Sequence, residues 1–385
     1  MNKVLFIMDT LGSGGSQKIL IECLNIFGTK YEVELLLIND YGIYRKYVKE
    51  NIKIMNIFPK YKQIPLRELL FLNYSLKEKL LGIFFKGIFR RNIYLWYLKM
   101  KSNQILKGKE YKYIIGFQEG PSNFIAANLK LKSVKIGWLH SDINKLSKIQ
   151  TKMEKNVYEK LEIIIAVSKS VKELAEKKYS FLFPKIKVLY NPINIKKIKE
   201  ESKMQNKLYN EDDINILTIG RLSPEKGYLN LIEVISEVLK EYKNVKLYII
   251  GKGEEMYKIE TLIKKLKLEK KIYLLGFKEN PYPYLKESNI YVSSSLYEGL
   301  PTTLIEAMIF NKMIVATKIL GSCEVLENYK KKYFVSLDSK NDFVEKIKFA
   351  ILNLKEKEKE DLDINKTFGD ENFLEKFEKI IKIKG

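Results

Sequence analysis

Two glutamates with seven residues between them are the most specific chemical feature of the sequence, in the run Glu298-Gly-Leu-Pro-Thr-Thr-Leu-Ile-Glu306. Pro301 suits the first turn of a helix, which puts Glu298 in the preceding loop and Glu306 about one turn inside. The free amides at the helix start, near Leu300 and Thr303, can bind an anion. Since carboxylates accept hydrogen bonds from sugar hydroxyls, the pattern indicates a ribose and a hexose around a diphosphate.

Two cations follow another strand, which ends at Ile219. Arg221 and Lys226 stand five residues apart in the turn that leaves this strand, where they can flank a diphosphate. A later strand ends at Gly251 and Gly253, whose backbone is free of side chains and suits a flat base passing close by. The second half of the chain is therefore predicted to bind a nucleotide diphosphate.

A glycine-rich turn after the first strand could bind phosphate through its amides. Gly14 and Gly15 open a helix there, and Asp40 follows the second strand, as in a dinucleotide-binding fold. The third glycine of that fingerprint is replaced by Gln17, which disfavours a nicotinamide dehydrogenase. On its own, this turn is weak evidence for a phosphate site.

Residue counts limit the chemistry further. The 385 residues contain one histidine, His140, and two cysteines, Cys23 and Cys323, each in an apolar stretch. A zinc site built on several imidazoles is excluded, and a disulfide framework is disfavoured, so a reducing cytoplasm fits. No Asp-x-Asp metal motif follows a strand, and we expect neither a metal nor a resident cofactor.

The net charge of +22, from 69 basic and 47 acidic residues, points to a polyanionic partner. Nucleic acid and the cytoplasmic leaflet of a membrane are two candidates, and a generally lysine-rich surface is the third. The stretch from Lys77 to Lys112 has ten basic and two acidic residues among bulky apolar ones, which is typical of an interfacial segment. A core helix with a solvated basic face is the alternative. The residues singled out for a membrane or acceptor surface are Phe84, Phe85, Arg90, Arg91 and Trp96.

Short apolar runs alternating with helical patterns must position these residues. Such runs are typical of parallel sheets covered on both faces, so the fold class is α/β with two doubly wound domains. Their ligands bind beyond the carboxyl ends of the strands. No run is long enough to span a membrane, and the protein is expected to be soluble or peripheral. The predicted parts are residues 1–193, a charged helix-poor linker 194–213, a nucleotide-sugar domain 214–368 and a last helix 369–385.

These motifs, in this order, resemble the retaining glycosyltransferases of family 4, which have the GT-B fold of two Rossmann-like domains facing a cleft. The resemblance covers nearly the whole chain and also includes Gly276-Phe277, near the expected nucleobase, and His140 after a strand. It implies that Arg221 and Lys226 hold the donor diphosphate and that Glu306 holds the ribose. Glu298 would contact the transferred sugar, and His140 would face the anomeric centre. The last helix would cross back to the first domain.

Two departures from the family pattern concern the donor sugar. The family usually has Gly and then Pro in the lead-in to the next strand, where this chain has Asn311 and Met313. A later Gly-Gly-x-Pro-Glu pattern keeps only Gly321 and Glu324. We therefore expect the turn to form, with its sugar preference left open.

The resemblance implies a retaining hexosyltransferase of cell-surface polysaccharide synthesis, such as capsule or lipopolysaccharide. It would move a hexose or N-acetylhexosamine from a nucleotide sugar, expected to be UDP-linked, to a saccharide or polyprenyl-diphosphate-linked acceptor. The expected location is the inner face of the cytoplasmic membrane. A nucleotide-sugar epimerase of similar architecture is one alternative. A basic nucleic-acid-binding protein is another, although the sequence contains no recognised nucleic-acid-binding module.

Overall fold

The structure is a computed structural model that describes residues 2–12, 14–58, 90–141, 148–204, 208–355 and 362–382. Contacts divide the chain into two compact units, one formed by Met1–Leu189 with Asn372–Gly385 and the other by Tyr190–Glu371. Each unit has its own parallel sheet, as the apolar runs of the sequence predict. The chain therefore has the expected two-domain α/β architecture.

The first domain is built on a seven-stranded sheet with the order β3-β2-β1-β4-β5-β6-β7. Every strand pair is parallel, and the central strands are almost fully buried because helices cover both faces. The strands are β1 (Lys3–Met8), β2 (Glu32–Asn39), β3 (Lys53–Phe58), β4 (Tyr113–Gly116), β5 (Val134–Leu139), β6 (Ile163–Ala166) and β7 (Ile186–Val188). The helices are α1 (Gly15–Phe27), α2 (Arg90–Ile105), α3 (Pro121–Asn128), α4 (Lys148–Lys160) and α5 (Lys169–Lys178).

The strand order of this sheet fixes where a ligand can bind. Strand β1 pairs with β2 on one side and with β4 on the other, so the direction of winding changes between β1 and β4. In open parallel sheets, ligands bind beyond the carboxyl ends of the strands at such a switch point. The glycine turn after β1 and the loops after β4 and β5 lie at this edge.

The last helix, α14 (Phe373–Lys382), belongs to the first domain, although the second domain precedes it in the sequence. Phe377 is fully buried, and its ring lies 4.8 Å from that of Phe27 and 5.6 Å from that of Tyr113. Glu378 accepts hydrogen bonds from Tyr31 at 2.5 Å and from Lys30 at 2.7 Å. The predicted return of the last helix to the first domain is confirmed.

The second domain is built on a six-stranded parallel sheet with the order β10-β9-β8-β11-β12-β13. The strands are β8 (Ile214–Ile219), β9 (Val245–Ile250), β10 (Ile272–Gly276), β11 (Ile290–Ser293), β12 (Met313–Thr317) and β13 (Lys332–Val335). The helices are α6 (Ile195–Glu201), α7 (Tyr228–Glu241), α8 (Met256–Lys265), α9 (Tyr282–Glu287), α10 (Thr302–Ile309), α11 (Leu320–Val325), α12 (Lys340–Leu352) and α13 (Ile364–Phe368). The switch point lies between β8 and β11, so the turns after these two strands are neighbours.

The segment 194–213 differs from its prediction. It contains helix α6. Asn194 caps the start of this helix, because its side chain accepts a hydrogen bond from the Lys197 amide at 2.8 Å. Ile198 of this helix is buried. The expectation of a helix-poor segment is wrong, because the many charged residues form the solvated face of a short amphipathic helix.

The domain boundaries also fall at other residues than the sequence suggests. The second domain begins at Tyr190 rather than after a linker, and it ends at Glu371 rather than 368. Ile193 is the reason. Its amide donates to the Phe368 carbonyl at 3.0 Å, and its carbonyl accepts from the Asp370 amide at 3.2 Å. This bridge places both flanks within one unit.

Candidate functional site

The turn after β8 places Lys226 at the carboxyl edge of the second sheet. A short 3-10 helix, Pro224–Lys226, ends at Gly227, which has a left-handed backbone with φ 66°. A Cβ on Gly227 would lie 2.3 Å from the carbonyl oxygen of Ser294, so only glycine allows this approach. The Ser294 hydroxyl donates to the Lys226 carbonyl at 2.7 Å. The turns after β8 and β11 are thereby held together.

Lys226 and Glu298 form a direct ion pair between these two turns. Their side chains are 21% and 18% exposed, so the pair is partly shielded from water. The Ser295 hydroxyl donates to the same Glu298 oxygen at 2.8 Å. A cation, a hydroxyl and a carboxylate therefore meet at one point at the edge of the sheet. This arrangement can bind a ligand that carries both negative charge and hydroxyl groups.

Helix α10, which follows the loop of Glu298 directly, carries Glu306. The helix begins at Thr302, directly after Pro301, so Glu298 lies in the preceding loop. Glu306 is only 3% exposed, and the Tyr282 hydroxyl donates to it at 3.4 Å. Of the two residues assigned to the start of this helix, Leu300 is buried, and the Thr303 side chain bonds to the Tyr291 hydroxyl.

Gly251 and Gly253 have a packing role that the sequence did not reveal. A Cβ on Gly251 would lie 1.8 Å from the Gly220 carbonyl oxygen, and one on Gly253 would lie 2.2 Å from that of Leu222. The turns after β8 and β9 therefore touch backbone to backbone. Phe277 follows the next strand, β10, and is half-buried. These three residues lie at the ends of adjacent strands of the sheet, and Arg221 is exposed in the turn after β8.

In the first domain, helix α1 begins at the glycine turn after β1. Gly14 is the N-cap, and no side chain caps the helix. A Cβ on Gly15 would meet no atom within 4 Å, so the helix start faces open space. Asp9, at the end of β1, accepts a hydrogen bond from Asn39 at 2.8 Å, and burial raises its pKa. The backbone amides at this helix start can bind an anion, as the sequence suggests.

His140 directly follows β5 at the same edge of the first sheet. Its Nε2 is buried, with no hydrogen-bond partner within the described part of the chain. Burial lowers the pKa of the imidazole to about 4, while an interaction with the Phe117 backbone opposes this shift. The ring lies 4.9 Å from that of Phe117 and is stacked at 6.5 Å on that of Trp138. The imidazole is therefore neutral at pH 7, and its Nε2 is a buried acceptor with no partner among the described residues.

Residues 199–366 match the family model of the group 1 glycosyl transferases. An uncharacterized glycosyltransferase of Methanocaldococcus jannaschii is 38% identical over 175 residues, which is 44% of this chain and 43% of that protein. In Campylobacter jejuni, N-acetylgalactosamine-N,N'-diacetylbacillosaminyl-diphospho-undecaprenol 4-alpha-N-acetylgalactosaminyltransferase is 26% identical over 357 residues, 90% of each chain.

Among solved structures, Anabaena HepE in complex with UDP and glucose superposes with a TM-score of 0.74. The superposition covers 99% of this chain and 100% of HepE, at 16% identity. At this identity the likeness shows the fold alone, which is GT-B. Fold and family match together support a GT-B glycosyltransferase.

The two departures from the family pattern have local explanations in the structure of this chain. Asn311 has a left-handed backbone with φ 54° just after α10, a position where asparagine can replace glycine. A Cβ on Gly321 would lie 2.9 Å from the Glu298 carbonyl oxygen, so the start of α11 packs against the loop that carries Glu298. Glu324 accepts a hydrogen bond from Tyr190 at 2.8 Å. Gly321 therefore supports the candidate site, and Glu324 ties α11 to the start of the domain.

The surface expected to face a membrane is only partly covered by the structure. Phe84 and Phe85 lie outside the described residues, and so do the side chains of Arg90 and Arg91 in α2. Trp96, farther along α2, is 60% exposed. Ile93 and Met100 are also exposed and share its face, because they stand three and four residues away. No helix in the described ranges is both long enough and apolar enough to cross a bilayer.

Across the described ranges, His, Cys, Asp and Glu residues form no group of three or more that could hold a metal ion. Glu119 is the residue that sequence reasoning missed, since its carboxylate contacts the backbone of His140. A signal was present, because Glu119-Gly120-Pro121 follows β4 much as Glu298-Gly-Leu-Pro301 follows β11. In both places a glutamate after a strand precedes a proline at a helix start.

Proposed function

We propose that this chain is a retaining hexosyltransferase that uses a nucleotide-diphosphate sugar, UDP-linked, as donor. The observation that carries the proposal is the meeting of Lys226, Ser295 and Glu298 at the switch point of the second sheet, with the buried Glu306 in the helix that follows. A cation can bind the diphosphate, and the two carboxylates can accept hydroxyls of the ribose and of the transferred sugar. The UDP and glucose bound to HepE, which has the same fold, support the donor class.

The reaction breaks the bond between the anomeric carbon and a diphosphate oxygen. It forms a bond from that carbon to an acceptor hydroxyl oxygen on the same face, and the hydroxyl proton passes to the leaving diphosphate. Negative charge builds on the leaving diphosphate, and Lys226 with Arg221 stabilises that charge electrostatically. Lys226 must then exchange Glu298 for the phosphate, which frees the carboxylate to accept hydroxyls of the transferred sugar. Glu306 accepts the hydroxyls of the ribose. No metal takes part in this scheme, because the two cations neutralise the diphosphate.

His140 has the role of a hydrogen-bond acceptor in this proposal. A backbone group that raises the pKa of an imidazole is a carbonyl oxygen that accepts its N–H. Because Nε2 is unpartnered among the described residues, that N–H is on Nδ1, which leaves a lone pair on Nε2. Nε2 is buried in this structure, so in this proposal the lone pair accepts a sugar hydroxyl once donor binding uncovers it. A pKa of about 4 makes the ring a weak base, so orientation of the sugar is its main task.

The acceptor in this proposal is a saccharide, most simply one linked to a polyprenyl diphosphate at the inner face of the cytoplasmic membrane. The name of the Campylobacter jejuni relative specifies a diphospho-undecaprenol-linked substrate, and the match covers 90% of both chains. Helix α2 supports a membrane-facing surface, because its sequence holds four basic and no acidic residues beside the exposed Trp96. Synthesis of a cell-surface glycan is the corresponding biological role.

The test of the donor assignment is a panel of nucleotide sugars screened by thermal shift, followed by calorimetry with UDP. We expect one UDP-sugar to stabilise the protein, with binding lost in Glu306→Ala and retained in the surface variant Glu233→Ala. NMR of the transferred sugar should show the anomeric configuration of the donor. An inverted product would refute retention, and a donor converted into its epimer without transfer would favour the epimerase alternative.

A further inference from the structure

The loop between β4 and α3 contains a carboxylate that the proposed reaction does not use. Glu119 lies in this loop, between the end of β4 and Pro121, the first residue of α3. Burial raises the pKa of its carboxyl group, while hydrogen bonds from backbone amides oppose the shift. A carboxylate that loses its hydration on burial needs hydrogen-bond donors from the protein.

One oxygen of Glu119 receives three such donors from the end of the next strand. The His140 amide donates to Oε1 at 2.5 Å, the Ser141 amide at 2.7 Å, and the Ser141 hydroxyl at 3.2 Å. These two amides belong to the residues directly after β5, where the sheet no longer pairs them. The carboxylate therefore replaces the missing strand neighbour at the point where His140 leaves the sheet.

A second side chain, from helix α3, fixes Trp138 in β5, two residues before His140. Asn123 donates to the Trp138 carbonyl at 3.2 Å and accepts from the Trp138 amide at 3.3 Å. It can lie so close because Gly116 has no side chain, since a Cβ there would lie 2.5 Å from the Asn123 Oδ1. The backbone from 138 to 141 is thus held at two places. The Asn123 amide group holds residue 138, and the Glu119 carboxylate holds residues 140 and 141.

The ring of His140 depends on this backbone for its orientation. Its Nε2 makes no hydrogen bond with the described residues, and the ring is otherwise held by Phe117 and Trp138. A rotation of the backbone at residue 140 would swing Nε2 away from the edge of the sheet. Displacements of about 1 Å at a reacting group can lower a rate about a hundredfold.

We propose that Glu119 is a positioning residue, which fixes the His140 imidazole for sugar transfer by holding the His140 and Ser141 amides. The role of His140 in transfer rests on the proposed function, whereas the hold on its ring does not. Glu119 contacts no substrate in this proposal. Its effect on the reaction passes entirely through His140.

The single histidine makes the hold directly observable. In protein labelled with 15N-histidine, one pair of ring nitrogen signals reports the tautomer and surroundings of His140. We expect Glu119→Ala to shift these signals and to weaken the preference for the Nδ1–H tautomer. Glu119→Gln keeps an acceptor oxygen and should largely restore the wild-type signals. Glu162→Ala is the matched control, since Glu162 accepts the Lys135 amide at 3.1 Å at the opposite end of β5.

Kinetics test the link to catalysis. We expect Glu119→Ala to lower kcat at least about tenfold with little change in the KM for the donor, whereas Glu162→Ala changes neither. In a His140→Ala background, Glu119→Ala should have no further effect on kcat, because the two residues act as one unit.

Additive losses in the double variant would overturn the proposal, and so would unchanged ring signals in a folded Glu119→Ala protein. If Glu119→Ala does not fold, the same comparisons are made with Glu119→Asp, whose shorter side chain should not reach both amides. A wild-type protein with no transferase activity would refute the proposed function alone, because the NMR comparison would still decide whether Glu119 holds His140.

Discussion

At the scale of single residues, the candidate site is already neutralised before any ligand arrives. Lys226 and Glu298 satisfy one another, and Ser295 holds the carboxylate in place. A partly buried charge left without its partner is unfavourable, so each of these residues stabilises the loop of the other. The diphosphate of a donor can replace Glu298 as the partner of Lys226. In the proposed function, donor binding and release of Glu298 are therefore one exchange of hydrogen bonds.

His140 gives the pH dependence that belongs to this scale. Its pKa of about 4 lies below the usual 6.5, so the folded protein keeps the ring neutral while the unfolded chain takes up a proton below pH 6.5. Stability is therefore fully present above pH 6.5 and falls as the pH decreases toward 4. Between pH 7 and 4.5 we expect the free energy of unfolding in urea to fall by about 2 to 3 kcal/mol more for wild type than for His140→Gln. Equal losses in the two proteins would show that the ring titrates freely.

Metal independence is a second expectation at this scale. In the proposed reaction, the two cations in the turn after β8 take the place of the divalent ion that other phosphate sites use. Treatment with EDTA should therefore leave the rate of sugar transfer unchanged. A complete loss of activity that magnesium or manganese restores would mean that the diphosphate is held by a metal instead.

The sequence indicated the residue types of the site but not their partners. The sequence alone locates the glutamates, cations and glycines at strand ends, because strands and helices are predicted from local patterns of residues. The pairing of Lys226 with Glu298, across 72 positions, depends on the order of the strands. The acceptor role of Glu119 depends on which strand neighbours β4, and this also could not be read from one sequence.

At the scale of elements, continuous apolar strands predicted the two parallel sheets well. The error at Ile195–Glu201 has a simple cause, since a seven-residue helix with one buried isoleucine has too little periodicity to stand out among lysines. The last helix is easier to predict from the sequence, because its apolar residues recur at helical spacing. Which domain it packs against was implied only by the family resemblance.

Phe377 measures what the last helix contributes to the first domain. Its ring is fully buried against Phe27 and Tyr113. Truncation should leave a cavity, and we expect Phe377→Ala to lower the free energy of unfolding of this domain by about 3 to 4 kcal/mol. Lys379→Ala, two residues away on the exposed face, should change it by less than about 0.5 kcal/mol. Similar effects of both substitutions in denaturant unfolding would argue against this docking.

At the scale of the whole molecule, the net charge of +22 calls for a physical explanation. Lysines distributed over all surfaces would raise solubility without choosing a partner. Helix α2 is different, because exposed Ile93, Trp96 and Met100 accompany basic residues with no acidic residue in the helix. Apolar side chains combined with positive charge favour the surface of an anionic bilayer.

Vesicle binding tests this surface with a charge-matched control. We expect co-sedimentation with phosphatidylglycerol vesicles, decreasing at high salt, and at least about tenfold weaker after Arg90→Glu with Arg91→Glu. The pair Lys264→Glu with Lys265→Glu in α8 changes the net charge equally and should leave binding nearly intact. Equal weakening by both pairs would indicate that the lysine-rich surface as a whole, and not α2, attracts the membrane.

The most direct test of the central claim is transfer of a labelled sugar from UDP-sugars to polyprenyl-diphosphate-linked saccharides. We expect label in the lipid fraction with wild type, and a decrease in kcat/KM of about a hundredfold or more in Lys226→Ala and in Glu306→Ala. Lys240→Ala, an exposed lysine of the same domain, should behave as wild type. Near-normal transfer by folded Lys226→Ala or Glu306→Ala protein would contradict the account.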